Sequence, residues 1–181
     1  LYRNENDGDV LPDDSTNFST HELNTSAEIA VRKATLPILN WELPEHRKLI
    51  PGDLQQIIGA DSDVISVDPH ALEVIQPPPA GVKVNRAGDA VDGAIGKHYS
   101  VREHFTNLDH LFGEWKLQGI STKSPEGETR WEIYIPIDSR KWLLTVIGVR
   151  HDEKRHYLVS IYPINDGSVQ NRIALNYLQQ R

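Results

Sequence analysis

His98-Tyr-Ser-Val-Arg-Glu-His-Phe-Thr-Asn-Leu-Asp-His-Leu-Phe112, followed within 52 residues by Arg130-Trp-Glu-Ile-Tyr-Ile135, Leu143-Leu-Thr-Val-Ile-Gly-Val149 and Tyr157-Leu-Val-Ser-Ile-Tyr-Pro-Ile164, decides the fold class. In the first stretch Val101, Phe105, Leu108 and Phe112 recur at helical spacing and Gly113 follows. That pattern predicts one helix, with Ser100 as its cap, Glu103 as capping-box partner and Gly113 as its stop. His104 flanks the apolar stripe, and His110 falls nearly opposite, toward solvent. The later stretches alternate or run apolar, as strands do. Four strands are expected, at residues 114–121, 129–137, 141–150 and 156–164, joined by short turns. Short turns between consecutive strands make an antiparallel meander. The expected fold is therefore α+β, a helix packed on a four-stranded antiparallel meander.

Working outward, alternation assigns faces to the strands. Trp131, Ile133, Ile135 and Ile137 share one face, with Arg130, Glu132 and Tyr134 on the other. Trp115 and Leu117 oppose Lys116 and Gln118, and Tyr157, Val159 and Ile161 oppose His156, Leu158, Ser160 and Tyr162. One face is the expected core under the helix, and the other carries hydroxyl, basic and acidic groups. Residues 168–180 read as a closing helix, its apolar side supplied by Val169, Ile173 and the run from Leu175 to Leu178.

Upstream the signals are weaker. The Gln76-Pro-Pro-Pro-Ala-Gly81 run is the clearest break in the chain, and the Gly/Ala/Asp-rich residues 87–96 read as a loop. A division follows, with residues 1–95 as an acidic, loop-rich, delivery-linked region and residues 96–181 as the functional domain. Within the first part, a helix is expected at 20–35 and a broken apolar segment at 36–44. A short helix capped by Asp53 follows the Pro51-Gly52 turn, and a strand falls at 63–67. Asn17-Phe-Ser and Asn24-Thr-Ser match a glycosylation pattern common by chance.

Composition bounds the function. The 181 residues suffice for one core, or one core with an appended unit. No apolar run reaches the roughly 20 residues of a membrane helix, so no integral membrane segment is expected. The absence of cysteine excludes disulfides, zinc–thiolate sites and thiol nucleophiles. It also suits unfolding and refolding during export. The start, Leu1-Tyr-Arg-Asn, reads as a fragment boundary rather than a signal peptide. Net charge is −7, yet unevenly spread. Residues 1–90 carry 15 acidic against 7 basic side chains, and residues 91–181 carry 11 against 12. An acidic chain repels phosphates, but that objection applies to the first half alone.

RNA can be cut without a metal by a base on the 2′-OH, an acid at the departing 5′ oxygen and cations on the phosphate. His104, Lys116, Lys123, Arg130, Ser160 and Tyr162 supply those types, His because its ordinary pKa lies near neutrality. Singly, each has a plainer reading as a structural or solvated residue. Their joint occurrence on one expected face points to chemistry, with Tyr134 on that face and His98 in the loop before the helix as substrate contacts. No phosphate-binding glycine loop, nucleophile elbow or zinc-helix motif is present, and no cofactor or metal is expected.

The order of elements resembles the barnase–EndoU–colicin–RelE (BECR) class of RNase toxins. It runs from a His-bearing helix to a strand ending near Gly119-Ile-Ser-Thr-Lys123, then Arg130-Trp-Glu-Ile-Tyr, Leu143-Leu-Thr-Val-Ile-Gly-Val and Tyr157-Leu-Val-Ser-Ile-Tyr-Pro163. The likeness covers residues 97–165 and lies in pattern. It implies a helix His as acid or base, carried to His104, with His98 as a second partner. It implies a basic residue on an early strand, at Lys116, Lys123 or Arg130, and a strand hydroxyl, Ser160, before Tyr162. It further implies a metal-independent endoribonuclease of bacteriocin or contact-dependent inhibition type, with tRNA the expected substrate. Such a protein is secreted from a bacterium, acts in the target-cell cytoplasm and is neutralised by an immunity protein. The alternative is a non-catalytic interaction module using the polar, aromatic sheet face.

Overall fold

The computed structural model describes residues 47–152 and 156–181. The helix expected at 20–35, the segment 36–44 and both glycosylation triplets lie outside them. The class is α+β, but the sheet is larger than a meander. Among the described residues it has seven strands: β1 (Lys48–Leu49), β2 (Val64–Val67), β3 (Leu117–Ile120), β4 (Glu128–Pro136), β5 (Lys141–Arg150), β6 (His156–Asn165) and β7 (Gln179–Gln180). Their order is β1-β2-β6-β5-β4-β3-β7. The four long strands run antiparallel in sequence order, β2 joins β6 in parallel, and β7 closes the other edge beside β3. The helices are α1 (Gly52–Ile58), α2 (Pro69–Glu73), α3 (Arg102–Thr106), α4 (Leu108–Phe112) and α5 (Asp166–Ala174). Among the described residues no helix is long and apolar enough to cross a membrane.

The division at residue 95 does not separate two cores. β1 and β2 belong to the same sheet, and Ile50, Leu54, Ile58, Ile65 and Leu72 share one core with Phe105, Phe112, Ile133 and Ile147. A Pro run breaks secondary structure, but it does not prevent what precedes it from packing onto the same sheet.

The expected single helix is three short pieces: a 3-10 turn at Tyr99–Val101, then α3 and α4. Its apolar stripe is buried as the period predicts. Ser100 does not cap it; the Ser100 hydroxyl donates to Asp89 Oδ2 at 2.8 Å. The break falls at Asn107, after Thr106 turns its hydroxyl back onto the Glu103 carbonyl at 2.7 Å. Such local bonds compete with the helical ladder. Asp53 likewise sits inside α1 rather than capping it, where it holds Arg181 at 2.8 Å. The closing helix is α5, shorter than expected. The side chain of Asn165 caps it, and Asn176 at φ 63° reverses the chain toward β7. Leu175 and Tyr177 therefore end up exposed.

Both faces of the sheet are buried. The first packs against α1–α4 and carries Ile133, Ile135, Leu143, Ile147, Leu158 and Ile161. The second carries Tyr134, Leu144, Val146, Tyr157, Tyr162 and Ile164, and α5 covers its lower half through Val169 and Ile173. Burial on both sides explains why β5 reads as a nearly unbroken apolar run. Strict alternation fails twice. Trp115 precedes β3 and drops into the first core, while Leu117 faces the second. In β6 a bulge intervenes, because Val146 pairs with Ser160 and Ile147 with Leu158, leaving Val159 as the extra residue. Beyond it the phase inverts, so Ile161 joins Leu158 on the first face. Tyr157, Val159, Ser160 and Tyr162 all share the second.

Candidate active site

The second face of the sheet is polar where α5 does not cover it, and register fixes its layout. Cross-strand pairing sets Glu128 beside Arg150, and Arg130 beside Gly148 and Tyr157. The next row holds Glu132, Val146 and Ser160, and the one below it Tyr134, Leu144 and Tyr162. The bulge at Val159 completes these rows; without it Tyr157 would turn away from Ser160 and Tyr162.

The upper end is an ion-pair cluster. Glu128 is buried, accepts a hydrogen bond from Arg130 Nε at 2.8 Å and another from the Tyr157 hydroxyl at 2.5 Å. To reach Tyr157 the carboxylate crosses β5 at Gly148, where a Cβ would lie 3.0 Å from Glu128 Oε2. Burial would raise the Glu128 carboxyl, but the bonds from Tyr157 and Arg130 outweigh it and hold its pKa below the ordinary value. A quarter of the Arg130 side chain stays exposed. Arg150 stands beside it as a second cation, its Nε buried without a hydrogen-bond partner.

One row down lies a carboxyl of the opposite kind. Glu132 is 1 % exposed, and its Oε1 accepts from the Tyr134 hydroxyl at 2.8 Å while Oε2 has no hydrogen-bond partner. Burial outweighs the Tyr134 bond and raises its pKa above the ordinary value. Tyr134 in turn accepts from Arg172 Nη1 at 2.5 Å, which fixes the hydroxyl toward Glu132. Burial lowers the Arg172 pKa to about 9, leaving it charged at neutral pH.

The third member enters from the edge of β6. The His98 ring lies against Tyr162, with centroids 5.3 Å apart and planes tilted by 30°. Its backbone is held by an N–H bond to the Val74 carbonyl at 2.7 Å. Burial, then the charges of Lys97 and His70, lower its pKa to about 3, so the imidazole is neutral at physiological pH. A small cavity of about 30 Å³, room for roughly one water, opens beside it between Asn85, Asp89, Lys97 and Pro163. Asp89 secures this loop by accepting from Ser100 through both its backbone N–H and its hydroxyl.

Of the residues singled out from sequence, Arg130, Tyr134, Ser160 and Tyr162 share this face, and His98 meets it at Tyr162. His104 does not join them. It is half-buried on α3, whose apolar side packs on the first face, so the sheet separates it from Arg130 and Ser160. Lys123 is exposed in the β3–β4 turn, near the upper end, where Ser124 Oγ accepts from the Arg130 N–H at 2.9 Å. Lys116 lies at the opposite end, in a groove below α5. Sequence reading missed Glu128, Glu132, Tyr157 and Arg172 as site members. Glu132 carried the one available signal, a carboxylate inside an apolar strand. Among the described residues no group of three or more His, Asp or Glu side chains is placed to hold a metal ion. No protein-family model, curated protein or solved structure matches the chain.

Proposed function

We propose that the polar half of the second sheet face is the reaction centre of a metal-independent endoribonuclease. The observation that carries this reading is a pair of buried titratable groups with pKa values shifted in opposite directions: Glu132 on the face, shifted up, and His98 against Tyr162 at the β6 edge, shifted down. Environments that push two pKa values apart assign an acid and a base. In the proposed step neutral His98 takes the proton of a ribose 2′-OH, whose oxygen forms a bond to the adjacent phosphorus. The phosphorus–5′-oxygen bond breaks, and Glu132 gives its proton to the departing oxygen. The products are a 2′,3′-cyclic phosphate and a free 5′-OH. Arg130 and Arg150 offset the charge gathering on the phosphate oxygens. Tyr134 and Arg172 position Glu132, and Tyr162 positions His98. The choice of tRNA, delivery from a bacterium and neutralisation by an immunity protein rest on the family resemblance.

The test is incubation of the protein with RNA in the presence of a chelator, with mapping of the new ends. Wild type is expected to leave 2′,3′-cyclic phosphates. Glu132→Gln and His98→Asn should each lose roughly 10²–10⁴-fold in rate, while His104→Ala keeps it. Intact RNA with wild type would end the nuclease reading. Unchanged cleavage by Glu132→Gln and His98→Asn would remove this site from it.

A non-catalytic module keeps one observation of its own. Ile120 and Tyr177 are 54 % and 47 % exposed, and Gly119, next to Ile120, abuts the Tyr177 carbonyl. Apolar groups at a sheet edge suit a protein partner. That surface lies at the β3–β7 edge, apart from His98.

A further inference from the structure

Below α5, at the end of the second face away from Arg130, a groove of about 510 Å³ runs between Lys116, Trp142, Gln170, Gln180 and Arg181 over a floor of Leu117 and Ile173. Its volume lies in the range of small-ligand sites. Three of its walls are fixed. The Trp142 indole donates to Asp166 Oδ1 at 2.8 Å, and Gln170 Nε2 donates to the same oxygen at 3.2 Å. Arg181 is tied to Asp53 Oδ2 at 2.8 Å and to the Gly113 carbonyl at 2.6 Å. Lys116 is different: it is exposed and forms no ion pair among the described residues. The groove thus offers a half-exposed indole held in one orientation, a free ammonium and two primary amides.

We propose that this groove is a subsite for single-stranded RNA, in which a base stacks on Trp142 and a phosphodiester meets Lys116. The assignment rests on the ribonuclease reading and extends it from the reacting bond to the strand around it. Stacking on an aromatic face and backbone neutralisation by Lys or Arg are how single strands are held without sequence preference. The amides of Gln170 and Gln180 can pair with base edges. Charge argues for a diester rather than a polyphosphate. Arg181 is matched by Asp53, and Asp166, bonded by the neutral indole and amide donors, keeps its negative charge, so a polyphosphate would be repelled and Lys116 alone is left to meet a single phosphodiester. Trp142 lies four residues along β5 from Val146, whose row holds Glu132 and Ser160. That is about 13 Å along the strand. The direct line between them lies under α5, over the buried Tyr134, Leu144 and Tyr162, so an RNA strand that engages both would pass around α5, while a dinucleotide cleaved at the centre does not extend to Trp142.

Two measurements on the intact chain test the subsite. The first is binding of a 2′-O-methyl octanucleotide, which lacks the attacking hydroxyl and cannot be cleaved. Trp142→Ala and Lys116→Ala should each weaken it on the order of tenfold, and Trp142→Phe should retain most of it. The second is cleavage of an RNA octamer against a dinucleotide. The variants should raise KM for the octamer by a similar factor and leave dinucleotide cleavage unchanged. If Trp142→Ala unfolds, exposed Lys116 carries the same test. Wild-type binding with no cleavage of either substrate, weakened in the variants, upholds the groove and removes the nuclease reading. Octamer binding by both alanine variants equal to wild type, or none by wild type, overturns the groove whatever the enzyme does.

Discussion

The two faces of the sheet are built from the same four long strands, yet they are held by different physics. On the first, Phe105, Phe112, Trp115, Ile133 and Ile147 are all but fully buried in an apolar core with α1–α4. The cations buried at its margin, Lys48 over the Phe105 ring and Arg102 against the Ile75 carbonyl, come from β1 and α3 rather than from the four long strands. On the second, α5 closes a smaller apolar core, and the half beyond α5 holds Glu128, Arg130, Glu132 and Arg150 among tyrosines. Both carboxyls are buried, and both guanidinium side chains are partly exposed. Desolvating charges costs free energy that apolar side chains in the same places would not. A fold whose other face already supplies a large core has no structural need of that arrangement. The contrast is what supports placing the proposed reaction centre on the second face.

The sharpest way to break the contrast is to damage each face in turn. Phe105→Ala on the first face should cost about 3–5 kcal/mol of stability, read by denaturant unfolding, and lose activity only as the protein unfolds. Acid should reveal the second face. His98 has a folded pKa of about 3, against an ordinary 6.5. The unfolded chain therefore binds the extra proton first, and stability falls as pH drops below about 6.5, down to about 3. By pH 5 the loss from this one group is about 2 kcal/mol. His98→Asn should flatten that part of the acid limb; an identical limb in the variant would show that His98 is not buried neutral. Gly148→Ala is smaller in scope. It puts a methyl against Glu128 Oε2 and Val159, and should cost about 1–2 kcal/mol with a loss of the Tyr157–Glu128 bond visible in the tyrosine titration.

How much of this was legible beforehand follows the same divide. β4 and β5 could be placed within a residue or so, because alternation and apolar runs report burial directly. The apolar stripe from Val101 to Phe112 was equally plain. What stayed hidden depended on contacts distant in sequence. Nothing local marks Lys48–Leu49 as an edge strand, or places the strand expected at 63–67 between it and β6, in a sheet formed a hundred residues later. The bulge at Val159 inverts a phase that strict alternation carries straight through, and it alone decides which face receives Tyr157. His104 looked better than His98 because a helix flank is readable from spacing. The position of His98 against Tyr162 depends on a loop pinned by Asp89, which has no period to read.

The smallest effect gives the most direct test of the polar face, because its sign is opposite to that of an ordinary core mutation. Glu132 has a folded pKa raised by burial. Between the ordinary carboxyl value of 4.5 and that raised value, the folded protein holds a proton the unfolded chain has released. Stability from this group is therefore present at acid pH and is lost as pH climbs through the folded pKa. Glu132→Gln removes the titration and keeps an oxygen for the Tyr134 hydroxyl. At neutral pH the variant should be more stable than wild type by about 0.5–1 kcal/mol, with the gap closing as pH falls toward 4.5. His98 pulls the other way over part of that range, so the informative quantity is the difference between the two proteins at each pH, not either curve alone. A variant that gains stability and loses cleavage together would mark Glu132 as retained for chemistry against the interest of the fold. A variant that loses stability at every pH would make it a structural carboxyl like Glu128.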